Sequence, residues 1–222
     1  MKMNKKKVFV AALAICLVAI LSMGTLAWFS DSDEVTNKFL IADSEDDTPD
    51  EIFSVDVWET TPDEQKDQDG HVYEDIQPGD KLLKTAHVEN TGHYDQYIRV
   101  TVTISDAQAW IAALGPNFDV TDVFVGFDPT MWTHVWNNLN ENPNAEEIVY
   151  VLYYKDILAA GTDITVFEQV KVPEALTRED AVEFAHEFSI KVKADAVQTA
   201  NVVPDGTAAE DAAWAAFKTV EG

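Results

Sequence analysis

Apolar and polar residues alternate in short stretches along most of this chain, and turn residues such as QPGD (77–80) and NTGH (90–93) separate the stretches. Alternation with a period of two is typical of a β-strand with one buried face. The β-branched and aromatic residues that fill these stretches are also enriched in strands. The pattern predicts six strands, in FSVDVWE, KLLKTAHVEN, QYIRVTVTI, EEIVYVLYYKD, TDITVFEQVKV and HEFSIKVKADAVQ.

Three other segments carry the start signal of a helix, a hydroxyl residue followed three positions later by an acid or an amide. In such a capping box the two side chains satisfy backbone N–H groups of the first helical turn. The pairs are Ser105 with Gln108, Thr177 with Asp180, and Thr207 with Glu210. Many short strands with few short helices predict a mostly β fold, a single jelly-roll-like β-sandwich.

The N-terminus has the three-part layout of a secretory signal peptide. Four lysines precede the apolar run Val8–Met23, and small residues lead to Ala27. The run of 16 residues is shorter than the ~20 that a membrane-spanning helix needs, and a retained anchor is the alternative. We therefore expect cleavage between Ala27 and Trp28, and an exported protein.

The segment after the predicted cleavage site contains a short alternation at Val35, Asn37, Phe39 and Ile41. It is followed by DSEDDTPDE, which carries six acids in nine positions. Acidic runs that contain proline repel themselves and stay extended. The predicted organisation is a signal peptide (1–27), an N-terminal strand (28–42), an acidic tether (43–52) and the β-sandwich domain (53–222).

The chain from Trp28 onward is strongly acidic. The predicted signal peptide holds four of the 15 basic residues and none of the 40 acids, so eleven basic residues against 40 acids give a net charge of −29. This charge argues against nucleic acid and anionic membranes as partners, because both attract clusters of Lys and Arg. The one cysteine, Cys16, lies within the signal peptide, so the mature protein has neither a disulfide nor a thiol nucleophile.

No motif for a catalytic or metal site is complete. The five histidines lack the His-x-x-x-His spacing of a helical zinc site. Asp67, Asp69 and Gly70 match the third, fifth and sixth positions of a calcium loop, but Ile76 stands where the loop needs its bidentate Glu. We expect no enzymatic activity, no catalytic or metal-binding residues and no cofactor, with weak calcium binding as an open alternative.

Four tryptophans are candidates for a platform that stacks on sugar rings. Trp110 and Trp214 lie in predicted amphipathic helices, where packing in the core is the expected role. Trp132 and Trp136 lie in PTMWTHVWNNLNENPN, a segment that is harder to assign. These two are the ones that we expect to face a groove.

Several segments carry a family resemblance. The junction GTLAWFSDSDEVTNKF is similar to that of proteins processed by the alternate signal peptidase SipW, with Gly-Thr-x-Ala, an aromatic start and then Asn-x-Phe. QPGDKLLKTAHVENTGHYDQYIRV resembles a Pro-Gly-Asp turn followed by a strand that ends in Asn-x-Gly, and YYKDILAAGTDITVFEQVKVP and FSIKVKADAVQTAN resemble segments near the C-terminus. Together these segments resemble the TasA/camelysin family of Gram-positive bacteria over nearly the whole chain.

The resemblance implies a secreted jelly-roll protein, located in the extracellular matrix or at the cell surface, that assembles into biofilm-matrix fibres. In TasA-like fibres the freed N-terminal strand completes the sheet of the next subunit. The donor residues implied here are Trp28, Phe29, Val35, Phe39 and Ile41, and cleavage is the switch that frees them. The expected partners are copies of the chain itself, the alternate signal peptidase and other matrix or cell-surface components.

Alternatives remain at this point. The acidic tether is longer than the family needs, so the N-terminal strand could instead fold back on its own subunit. A monomeric secreted or surface adhesive protein that binds through the Trp132 and Trp136 region is the second interpretation, and a camelysin-like metalloprotease is a distant third. Subunits at this net charge also repel one another until salt or divalent cations screen them.

The alternation generates a test that does not depend on the family. Replacing Phe39 and Ile41 by Asp should abolish polymerisation and leave the monomer folded, because two charges would replace the apolar face of the donor strand. Electron microscopy and circular dichroism of the same sample measure both effects. The matched control, Thr36→Asp with Ala42→Asp, adds the same charge on the other face and should still polymerise. Fibres of the Phe39/Ile41 variant would contradict the donor-strand hypothesis.

Overall fold

The computed structural model describes residues 30–34, 53–60, 66–67, 73, 76–174 and 188–221. Ten strands lie in this part of the chain, all in antiparallel pairs. They are β1 (Ser30–Glu34), β2 (Asp56–Thr60), β3 (Lys66–Asp67), β4 (Lys81–Glu89), β5 (Gln96–Ile104), β6 (Phe124–Val125), β7 (Trp132–Asn137), β8 (Ile148–Tyr154), β9 (Asp163–Lys171) and β10 (Ile190–Gln198).

The strands form two five-stranded sheets. The first sheet has the order β1-β10-β5-β8-β7 and the second has the order β3-β2-β4-β9-β6. From β4 to β7, and again from β8 to β10, each consecutive strand lies in the sheet opposite its predecessor. Such repeated crossing between two packed antiparallel sheets is typical of β-sandwiches, the class that includes jelly rolls. The predicted β-sandwich is therefore confirmed.

The core between the sheets follows from the alternation in the sequence. In β5 the side chains of Ile98, Val100, Val102 and Ile104 are fully buried, and the residues between them lie on the other face of the sheet. The neighbouring strands β8 and β10 of the same sheet add further buried residues to this cluster, and strands β4 and β9 of the second sheet supply its other side. A period of two thus places one apolar row of each strand in the space between the sheets.

Three helices lie in the described ranges: α1 (Ala107–Leu114), α2 (Val120–Val123) and α3 (Ala212–Glu221). Short 3-10 turns occupy Pro129–Met131, Asn138–Asn140 and Ala209–Asp211. Helix α3 packs on the outer face of the first sheet, where Phe217 and the alanines of the helix contact Tyr97, Tyr153 and Val197. The helix therefore adds a third layer with a small core of its own.

No helix in the described part of the chain has the length and apolarity needed to cross a membrane.

Arg99 of β5 fastens α3 to the sheet. Its Nε and Nη2 atoms donate hydrogen bonds to Asp195 of β10 at 3.1 and 2.9 Å, and its Nη1 atom donates to Glu221 in the last turn of α3. The guanidinium also lies 4.5 Å from the centre of the Phe217 ring. Burial alone would lower the pKa of Arg99, but the hydrogen bonds to Glu221 and Asp195 outweigh burial and raise that pKa above its ordinary value.

The six strands predicted from the alternation are confirmed as β2, β4, β5, β8, β9 and β10. The short strands β3, β6 and β7 were not predicted. The described N-terminal strand is Ser30–Glu34, whereas the alternation that predicted it, from Val35 to Ile41, lies outside the described residues. The helix predicted at Thr177 lies outside them as well.

Two of the predicted capping boxes are wrong. Helix α1 starts after Asp106, which has a φ of 59° and makes no capping hydrogen bond, while Gln108 donates instead to backbone carbonyls in the loop before β8. Before α3, the hydroxyl of Thr207 donates to the carbonyl of Pro204. A capping box does occur at α2, where Asp119 and Asp122 accept each other's backbone hydrogen bonds. In each failed case tertiary or turn contacts compete for the side chain.

Removal of the Arg99 side chain should loosen α3. We expect Arg99→Met to lower the free energy of unfolding by about 2 kcal/mol. Most of this loss comes from Asp195, which is left with fewer hydrogen-bond partners, because the lost pair with the more exposed Glu221 contributes little to stability. Hydrogen exchange of residues 212–221 should become faster, which mass spectrometry can measure. The matched control is Lys193→Met, since Lys193 also pairs with Asp195, at 2.9 Å, but lies outside the packing cluster of α3. Equal effects of the two variants on exchange would contradict this role of Arg99.

Candidate functional site

The first candidate site is the edge of the first sheet at which the described chain begins. Strand β1 lies at this edge and pairs with β10, in a register that runs from Ser30 opposite Val197 to Glu34 opposite Lys193. Its sequence, SDSDE, contains no apolar residue. Strand β1 thus pairs within its own subunit, whereas the apolar alternation that predicted the donor strand lies outside the described residues.

The strand that receives β1 has small residues at its buried positions. Ala194 and Ala196 of β10 are fully buried, and they lie opposite Asp33 and Asp31 in the register. Carboxylates are rarely buried without a partner, whereas apolar side chains gain about 25 cal/mol for each Å² that they remove from water. A strand that carries apolar residues at these register positions would therefore bind this edge more tightly than SDSDE does.

A buried ion pair lies in the second sheet near the same edge. Glu59 of β2 and Lys84 of β4 are 2% and 8% exposed, and the Lys84 ammonium donates a hydrogen bond to Glu59. Strand β1 approaches β2 across the sandwich. Since a buried charge that loses its partner is strongly destabilising, Glu59 and Lys84 depend on each other. The sandwich is consequently more polar at this edge than in its centre, a feature that the strand pattern did not predict.

The residues predicted to act in cleavage and in strand donation are not in the described part of the chain. Ala27, Trp28, Phe29, Val35, Phe39 and Ile41 all fall outside it. The cleavage site and the donor contacts therefore stay predictions.

The second candidate site is a depression on the outer face of the first sheet, which we call the aromatic groove. It has a volume of about 360 Å³ and lies between α3 and the strands β5, β8 and β7. Its aromatic lining consists of His134, Trp136, Tyr153 and Trp214. The side chains of Trp136 and Trp214 are 38% and 36% exposed, which is a large exposed fraction for indoles.

Specific contacts hold the rings of the aromatic groove. His134 has a φ of 46°, its Nε2 atom lies 2.8 Å from Oδ1 of Asp211, and its ring stacks on Trp214 with 4.5 Å between ring centres. Trp136 donates a hydrogen bond from Nε1 to Glu141 at 3.0 Å. The exposed rings are therefore fixed on both sides of the groove in the free protein.

The predictions for the tryptophans were half right. Trp110 is fully buried and Trp136 lines a groove, as expected. Trp132 is instead buried in the core, because the pairing of β7 with β8 shifts by one residue between Thr133 and Trp136. Such a bulge turns two tryptophans that are four residues apart to opposite faces of the sheet.

Trp214 is the other error, since it is exposed and lines the groove instead of packing in the core. A signal for this was present in the sequence. Ala213, Phe217 and Val220 follow the helical spacing of a buried face, so Trp214 belongs with Lys218 and Glu221 on a neighbouring face. Arg99 and Tyr153 of the groove carried no such signal, because only the packing of α3 brings them to the site.

Three of the five histidines are in described positions. His87 stacks on Trp58 with 3.9 Å between ring centres, and its Nδ1 atom lies 3.4 Å from Asp163. His93 is exposed in the bend after β4, and His134 lines the aromatic groove. Within the described ranges, no group of three or more His, Cys, Asp or Glu side chains is arranged to hold a metal ion.

Comparison of the chain with protein-family models, with curated proteins and with solved structures found no match. The resemblance to the TasA/camelysin family therefore rests on the quoted segments of the sequence.

Proposed function

We propose that the protein is a secreted structural subunit of extracellular matrix fibres, in which an N-terminal strand of one copy completes the first sheet of the next copy. The observation that carries the proposal is the position of β1, which is the first strand in the described part of the chain, lies at a sheet edge and pairs there with β10. An edge strand at a chain terminus is the element that subunits can exchange with least change to the rest of the fold.

The connection between β1 and β2 is long enough for exchange. β1 ends at Glu34 in the first sheet and β2 begins at Asp56 in the second, which leaves 21 residues between them. A fully extended chain of that length spans roughly 70 Å, whereas packed sheets lie ~10 Å apart. The connection therefore exceeds what a crossing within one subunit requires, and an N-terminal strand on it can reach the β10 edge of a neighbour.

Exchange retains the interactions of the closed subunit. A strand from a neighbour forms the same main-chain hydrogen bonds to β10 that β1 forms within its own chain. Each subunit then gives a strand to one neighbour and receives a strand from another. A head-to-tail contact of this kind produces a filament when its rotation does not close a ring.

The apolar alternation after β1 offers a better fit to the same edge. Asp31, Asp33, Phe39 and Ile41 are all odd-numbered, so a shift by an even number of residues keeps the same face toward the core. A shift by eight residues places Phe39 opposite Ala196 and Ile41 opposite Ala194. Burial of a Phe or an Ile contributes ~1.5–3 kcal/mol, and the small alanines leave space beside them.

Local charge also supports the pairing. The chain has few cations, and two of them, Lys191 and Lys193, lie on β10 next to the edge, with Lys193 opposite Glu34 in the register. The N-terminal segment is acidic, so its attraction to β10 opposes the repulsion between the subunits as a whole. At physiological ionic strength, salt screens the repulsion between subunits at separations beyond ~8 Å.

A monomeric surface protein that binds a ligand is the second candidate function. The aromatic groove favours it, because exposed and fixed indoles are characteristic of binding sites.

Paired cysteines can test strand exchange directly, since the predicted mature chain contains no cysteine. Residues opposite each other in an antiparallel pair are ~4.5–5.5 Å apart at Cα, a separation that a disulfide can bridge. Glu34→Cys with Lys193→Cys reports the register of the closed subunit. Ala42→Cys with Lys193→Cys reports the register shifted by eight residues.

Under oxidising conditions that favour assembly, we expect non-reducing gels to show a ladder of covalent oligomers for at least one of the two pairs. The control, Glu34→Cys with Lys191→Cys, is out of register by two residues and should give no ladder, since diagonal neighbours are ~7–8 Å apart. Monomers with an internal disulfide, together with an absence of filaments in electron micrographs, would contradict the proposal.

A further inference from the structure

We propose that the aromatic groove binds a neutral sugar chain. This inference does not rest on fibre assembly. The groove lies beside β7, at the edge of the first sheet opposite to β1, so a strand exchanged at the β1 edge leaves it accessible.

The shape and surface of the groove fit the apolar face of a pyranose ring. Trp136 projects from β7 and Trp214 from α3, so an indole stands on each side of the depression. The face of an aromatic ring carries negative charge density. The axial C–H bonds of a hexose present a slightly positive apolar patch, which complements that face.

The rings are already in place before a ligand arrives. The stack of His134 on Trp214, the contact of His134 with Asp211 and the bond from Trp136 to Glu141 fix the two indoles. Ordering of side chains on binding costs ~0.5–1.5 kcal/mol for each residue that becomes immobilised. A site with fixed rings avoids most of that cost, which matters for a ligand that makes only weak individual contacts.

The charges in the groove select against ionic ligands. Arg99 is held by Asp195 and Glu221, and the Lys218 ammonium lies 3.8 Å from Glu221. An anionic polymer therefore meets cations that already have partners, on a chain with a net charge of −25. A quaternary ammonium, which aromatic cages bind, would meet Arg99 and Lys218 beside the rings. A neutral polar ligand avoids both the repulsion of an anion by the acidic chain and the repulsion of a cation by Arg99 and Lys218.

Polar groups at the floor and rim can position the hydroxyl groups of a sugar. Thr101 on β5 offers a hydroxyl, Lys218 an ammonium, and Glu221 a carboxylate that accepts hydrogen bonds. These three groups line the same depression as the indoles. Stacking surfaces combined with a few convergent polar groups are typical of small-molecule sites.

The size of the groove suits a short segment of a sugar chain. Its volume of about 360 Å³ falls within the ~300–1,000 Å³ of most ligand pockets. A folded protein partner would instead need ~800 Å² of surface on each side of the interface. The occupant is therefore an oligosaccharide and not a second copy of the chain.

The test is titration of the purified protein with cellohexaose and chitohexaose as neutral probes, and with a polygalacturonate oligomer of equal length as the anionic probe. Tryptophan fluorescence and isothermal titration calorimetry report binding. We expect at least one neutral probe to bind with saturation and the anionic probe to bind at least tenfold more weakly. Trp136→Ala and Trp214→Ala should each weaken binding of the neutral probe about tenfold or more.

Two controls separate the groove from general effects. Tyr94→Ala removes an aromatic side chain that is 62% exposed and lies outside the groove, and it should leave the affinity unchanged. Trp136→Phe keeps a smaller ring and should retain part of the affinity, which guards against misfolding of the alanine variant. Absence of saturable binding by both neutral probes, tighter binding of the anionic probe, or unchanged affinity in both tryptophan variants would overturn the proposal.

Discussion

The period of two along strand β5 is the constraint on which the rest of the structure depends. One row of its side chains, from Ile98 to Ile104, lies in the core between the sheets, and the other row carries Tyr97, Arg99 and Thr101 on the outer face. The first row holds the sandwich together through apolar burial. The second row anchors α3 and forms the floor of the aromatic groove. A one-residue change of register in this strand would therefore exchange the residues of the core with those of the groove floor.

The two ends of the first sheet differ in a way that matters for function. At the β1 edge, the strand SDSDE pairs with β10, whose Ala194 and Ala196 are buried, and a buried ion pair lies nearby in the second sheet. At the β7 edge, a bulge and the packing of α3 fix exposed indoles over a depression. The first edge is suited to exchange of a strand, because the present occupant contributes little apolar surface. The second edge is suited to recognition, because its rings are held by hydrogen bonds and stacking.

Charge connects these features. An acidic chain resists association with copies of itself, so assembly needs a contact whose main-chain hydrogen bonds and apolar burial exceed the repulsion. Lys191 and Lys193 lie on β10, the strand that the proposed contact would use. The same overall charge favours a neutral ligand for the aromatic groove, whose cations already pair with Glu221 and Asp195. The negative net charge of the chain thus bears on both proposals, fibre assembly and the binding of a neutral sugar chain.

The sequence by itself determined the sandwich, since strands such as QYIRVTVTI carry their burial pattern in adjacent residues and match the observed limits of β5. It also identified Trp110 as a core residue and Trp136 as a groove residue. It misplaced Trp132, because a one-residue bulge in β7 is set by pairing with β8. It missed Arg99 as a site residue, because its partners Asp195 and Glu221 lie 96 and 122 positions away along the chain. Local patterns specify which face of an element is buried, whereas the groove depends on contacts between distant elements, and those contacts exist only once the chain is folded.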